Sequence, residues 1–115
     1  MAILATGPIE NGAVSGIRPT QQVTVKIINR DAVNTATVLI QGYMLNGTRN
    51  LYVSEVLLLA ANGVSTRNYF ANLDAFEYIF TTGGAAEAQV EISFWGKQAS
   101  GQLVDAHRIV VEELE

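Results

Sequence analysis

The side chains of this chain that can do chemistry are few, and their spacing restricts them further. The single histidine, His107, follows Asp105 by two residues. On a strand two such residues share a face, so acid and imidazole are neighbours, but a Ser-His-Asp triad still needs a third group placed by the fold. No Gly-x-Ser-x-Gly elbow is present to offer one. Glu87 and Glu91 share a strand face, and Glu55 and Glu77 sit in other runs; such pairs serve glycoside hydrolysis only across a cleft, and otherwise form the solvated face of a sheet. Asp31 with Asn34, and Asn72 with Asp74, offer oxygens to a calcium ion, but without EF-hand spacing, and turns use these residue types for local backbone hydrogen bonds. The sequence holds no cysteine, which removes disulfides, thiolate metal sites and a cysteine nucleophile. It therefore predicts no enzyme, no metal site, no cofactor and no small-molecule substrate.

Binding chemistry is scarcely richer. Asn46-Gly47-Thr48 matches an N-glycosylation acceptor, but is better explained as a hairpin turn. Tyr52, Tyr69 and Trp95 are aromatics that a sugar-binding platform would use, although a lone Trp in a strand more often packs in a core or an interface. A net charge of -4, with seven Lys and Arg scattered singly, gives no basic stripe for nucleic acid. No stretch approaches the ~18 apolar residues of a membrane span, and the first residues lack the basic and apolar regions of a signal peptide. The expectation is a protein made and left in a cytoplasm.

These residues must be positioned by one domain: 115 residues suffice for a single core, and 49% hydrophobic against 16% charged residues excludes a disordered tail. So few charges also suggest that partners cover surface. From Gln22 onward apolar residues recur with period two between turn signals, and no helical period is sustained. Strands are predicted at about 22–29, 35–45, 50–60, 64–70, 75–82, 87–97 and 103–113. Gly42 marks a bulge or a close backbone approach, Asn46-Gly47 a type I′ hairpin, and Phe76, Tyr78 and Phe80 an aromatic core face. The fold class is an all-β antiparallel sandwich, a jelly roll or alternatively an immunoglobulin-like arrangement.

Seven strands in two sheets leave four edges, and there are few charges to guard them. The remaining apolar segment is the start of the chain, MAILATGPIENGAVSG. Ile3, Leu4 and Ala5 can fold back onto their own domain, or the Gly-rich stretch from Gly7 to Gly16 can carry them to another copy. The division expected is a connector over 1–16 and a sandwich over 17–115.

Two segments resemble a known group. ISFWGKQASGQLVDAHRIVVEEL, from Ile92 to Leu114, is similar to the closing hairpin, and QQVTVKIINRDAVNTATVLIQGYMLNGT to the first hairpin, of the small β-domains that form endospore appendages, the pilus-like fibres on spores of Bacillus and its relatives. The resemblance implies a jelly-roll subunit of a helical fibre of identical copies, with anchor and tip proteins as further partners, deposited on the spore surface from the mother-cell cytoplasm. Subunits of that group carry cysteines that link them covalently; this chain has none, so its fibre would be held without covalent links. The resemblance implies a donor strand comprising Ile3, Leu4, Ala5, Ile9 and Val14, added to a neighbour's sheet, with lateral augmentation of sheets. The acceptor is expected at edge strands near the chain ends, at Val23, Val25, Ile109 and Val111. Other readings are a carbohydrate- or surface-binding module and a virion or phage-tail structural domain.

Overall fold

Period-two alternation becomes strands at nearly the positions expected. The computed structural model describes residues 2–107 and 110–112. Its strands are β1 (Ala2–Ala5), β2 (Ile9–Glu10), β3 (Gln22–Asn29), β4 (Ala36–Leu45), β5 (Arg49–Leu59), β6 (Val64–Phe70), β7 (Ala75–Gly83), β8 (Val90–Lys97), β9 (Leu103–His107) and β10 (Val110–Glu112). Among the described residues there is one 3-10 turn, Glu87–Gln89, and no α-helix, so none that is long and apolar enough to cross a membrane.

The strands form two antiparallel sheets. The larger runs β10-β1-β7-β4-β5, with β2 also paired to β7; the smaller runs β6-β3-β8-β9. The molecule is an all-β sandwich. Val23, Val25 and Ile27 from β3 and Phe94 from β8 meet Val38 and Ile40 from β4, Leu57 and Leu59 from β5, and Phe76, Tyr78 and Phe80 from β7. Each of these alternates with an outward residue, which is why strand geometry buries them together.

Three details differ from expectation. The run from Glu87 starts with a 3-10 turn, because Gln89 N–H donates to Ala86 O and the Gln89 carbonyl accepts from Arg30 N–H, so pairing begins only at Val90. The run from Leu103 is divided between sheets: β9 pairs with β8, and β10 with β1. The hairpin at Asn46-Gly47 forms, but through a loop of three residues with Asn46 N–H donating to Thr48 O and only Gly47 at positive φ, so it is not type I′. The turn whose central residues both have positive φ is elsewhere, at Ser15 (53°) and Gly16 (82°).

Gly42 is both things its sequence position suggested. A Cβ there would stand 2.8 Å from the Tyr78 ring, and the ladder between β4 and β5 slips immediately after it. Gly42 pairs with Val53 and Tyr43 with Leu51, which leaves Tyr52 as the extra residue of a bulge. Gly42→Ala is expected to lower stability by about 1–3 kcal/mol through overpacking against Tyr78, which urea denaturation followed by circular dichroism would measure.

Candidate functional site

The sites singled out by the sequence are the first strand and the sheet edges. Ala2–Ala5 lies between β7 and β10 of its own chain: Ile3 pairs with Thr81 and Glu112, and Leu4 with Phe80 and Val111. Leu4 and Ile9 stand opposite Phe80 and Phe76 and pack against the core, whereas Ile3 belongs to the outward row with Thr81. Ala5 is buried.

β1 and β2 are one broken strand, kept in line by Thr6. Thr6 N–H donates to Tyr78 O (3.0 Å), and the Thr6 hydroxyl accepts from Tyr78 N–H (3.1 Å) while donating to Gly7 O (2.7 Å). The hydroxyl thus takes the place of a carbonyl in the ladder where the chain kinks toward Pro8, so no buried backbone donor is stranded. The broken strand ends at Asn11, whose side chain is almost wholly buried. Its Nδ2 donates to Thr20 O, Ala71 O and Leu73 O at 2.7–3.1 Å, and its Oδ1 accepts from Thr20 N–H at 2.9 Å. Asn11 thereby joins the entry to β3 with the loop between β6 and β7.

Between Asn11 and Thr20 the chain makes a tight hairpin, Val14 and Ile17 exchanging backbone bonds across Ser15-Gly16. Arg18 ties it down, reaching Asp74 Oδ1 (2.9 Å) and the carbonyl and amide oxygens of Asn72. At the tip Val14 is 67% exposed, so of the five residues expected in a donor strand it alone lies outside β1 and β2 and away from the sheet.

The acceptor residues are placed differently from one another. Val23 and Val25 do not line an edge: β3 is flanked by β6 and β8, and both side chains are wholly buried in the core. Alternation identified their face correctly, but the neighbours on either side come from residues 64–70 and 90–97, which only the fold brings alongside. Val111 lies in β10 with its backbone opposite Leu4. Ile109 lies outside the described residues.

The free edges on one flank are β5 and β6, and inner-face polar groups stitch that flank shut. Glu55 of β5 accepts from the Tyr69 hydroxyl (2.6 Å) and from Arg67 Nε (3.2 Å), both on β6. Beside them the Tyr52 hydroxyl donates to Phe70 O (2.6 Å), so its one proton is used and Tyr78 must be the donor in the 2.6 Å contact between the two phenols. Tyr52 and Tyr69 therefore face into the sandwich, and of the three aromatics considered for a sugar platform only Trp95 lies on an outer face. Burial raises the pKa of all three tyrosines, the Glu55 carboxylate adding to the effect on Tyr69.

The remaining candidates are occupied locally. Asp31 accepts from Val33 N–H, Asn34 N–H and the Asn34 amide, which hold its carboxyl below the usual range, and Asp74 and Asn72 bind Arg18. Glu91 pairs with Arg30 and Glu77 with Arg49. Asp105 and His107 are on β9, with His107 opposite Phe94 in the backbone register, and among the described residues no three His, Cys, Asp or Glu gather as metal ligands. Sequence reasoning missed Thr6 and Asn11, which resembled turn filler in a Gly-rich stretch. No protein-family model matches this chain, and no curated protein matches it in sequence.

Two measurements follow from this geometry. Asn11→Ala removes four hydrogen bonds and leaves buried carbonyls unpaired, so a loss of about 2–3 kcal/mol is expected in urea titrations. The Tyr69 hydroxyl foremost, aided by Arg67, holds the Glu55 carboxyl below its ordinary value of 4.5. A folded-state value below the unfolded one means this stabilisation is present above the ordinary glutamate value and drains away as pH falls through the folded value. Tyr69→Phe should consequently cost stability at neutral pH and progressively less in acid, as urea midpoints across that range would show.

Proposed function

We propose that this protein is a structural subunit that assembles with copies of itself into a pilus-like fibre on the spore surface, the strand Ala2–Glu10 passing from each copy to the next without covalent links. The observation that carries the reading is the place of β1: a strand from one end of the chain fills a slot between two other strands, and is followed by a short hairpin that can serve as a hinge. Exchange of an identical element replaces each contact with the same contact in trans, so it requires no new interface chemistry. Leu4 and Ile9 would fill the pockets beside Phe80 and Phe76 of the neighbour, and the backbone of β7 would supply the affinity. Opened out, residues 12–19 reach roughly 26 Å at about 3.3 Å per residue, enough to cross to an adjacent copy. A head-to-tail contact of this type that does not close a ring propagates as a helical filament.

Lateral augmentation is supported by β5, which has eleven residues without Lys or Pro. Its two charged side chains are engaged, Glu55 with Tyr69 and Arg67, and Arg49 over the Tyr43 ring and against Glu77, so neither is committed to guarding the edge.

Size exclusion with light scattering and negative-stain microscopy test the proposal on the full chain and on a variant lacking Ser15 and Gly16. Filaments are expected from the full chain. Shortening the hinge disfavours closure of the strand on its own domain and should shift the population further toward linear assemblies. The reading fails if both proteins remain monomeric at high concentration, or if a chain without residues 1–10 builds the same fibres.

A further inference from the structure

The cations of this acidic protein are not distributed evenly. Arg18, Arg30, Arg49 and Arg67 each face a carboxylate, on Asp74, Glu91, Glu77 and Glu55 respectively. The sequence has just two lysines, Lys26 and Lys97, and among the described residues neither has an acidic partner. Both lie on the outer face of the smaller sheet, on either side of the only tryptophan.

The register fixes this arrangement. Lys26 of β3 stands opposite Ser93, two residues before Trp95 on β8, and Lys97 is two residues after it. Each lysine therefore begins one two-residue step, about 7 Å, along the strand from the indole. Trp95 stands opposite Thr24, and is 37% exposed. Together with Thr24, Ser93 and Leu103 these residues line a groove of about 230 Å³, and among the described residues no carboxylate is in its lining. Thr24 donates its hydroxyl to Asn68 Oδ1 (2.6 Å), which leaves the Asn68 amide protons without a protein partner among the described residues.

We propose that this face binds an acidic saccharide, a sugar chain bearing carboxylates, with one ring stacked on Trp95 and its charges met by Lys26 and Lys97. An indole flanked by hydroxyls suits the apolar face and hydroxyl rim of a pyranose, and two unpaired ammonium groups on a common face select for an anion. An acidic peptide fits less well. β3 and β8, which carry both lysines and the indole, are flanked on both sides by other strands, so a peptide lying over those side chains pairs with neither strand; the outer edge of this sheet is on β9, whose Leu103 borders the groove. The proposal does not depend on fibre formation.

Because Trp95 is the sole tryptophan, its fluorescence reports directly on the site. The full chain is titrated at low salt with a trimer of galacturonic acid, and in parallel with maltotriose, sodium sulfate and polyglutamate. A saturable change in Trp95 emission is expected with the uronate trimer alone, weakening as salt is raised. Lys26→Gln and Lys97→Gln, both at surface positions, should each weaken binding by about tenfold, the size of one charge-assisted contact. No response to the uronate, an equal response to maltotriose, sulfate or polyglutamate, or undiminished binding by the double lysine variant would overturn the assignment.

Discussion

Tyr78 is buried together with its hydroxyl, and a phenol in a core must find a hydrogen-bond partner or forfeit the solvation it has lost. Much of the larger sheet is arranged around that requirement. The ring occupies the space where Gly42 lacks a side chain; the hydroxyl meets Tyr52, which reaches it because the bulge in β5 turns an extra residue inward. The Tyr78 backbone, meanwhile, is the point where Thr6 bridges the break between β1 and β2. Tyr69 stacks on the ring from the other sheet at 5.7 Å between centroids, and Phe94 tilts against it at 5.1 Å. One residue thus sets the bulge, the glycine, the kink and much of the contact between the layers.

Much of this was legible in the sequence, and what escaped has a physical cause. Alternation reports which face a side chain takes, so it places Phe76, Tyr78 and Phe80 in the core, and Gly42 stands out because a glycine inside a β-branched run serves no packing purpose of its own. Alternation says nothing about which strands lie side by side. Read from the sequence alone, Val23 and Val25 fall at an edge, whereas β3 is interior. Polar residues that satisfy a buried backbone were also invisible: Asn11 among glycines reads as turn chemistry, yet its amide closes a junction of three chain segments. The same holds for Asn29, whose amide donates to Asn34 O, Leu59 O and Ala60 O, and whose oxygen accepts from Asp31 N–H.

The two flanks and faces divide the chemistry. Where β5 approaches β6, charged and phenolic groups are consumed in holding the layers together, which leaves their backbone edges available but their side chains engaged. On the outer face of the smaller sheet, by contrast, Lys26, Lys97 and Trp95 make no side-chain hydrogen bond or ion pair with another of the described residues. Among the described residues, carboxylates neutralise the arginines and leave both lysines without an acidic partner, which separates cations that stabilise the fold from cations that do not.

The position of β1 also bears on the order in which the molecule can be made. Ala2 bonds to Thr82, eighty residues further along, and Ile3 pairs with Glu112 on the other side. A ribosome therefore releases β1 well before either strand that will enclose it, and throughout that interval an apolar strand with unsatisfied backbone groups waits for a slot. On a polysome many such chains stand close together, so the choice between a strand's own slot and its neighbour's is posed during translation, before any finished subunit exists.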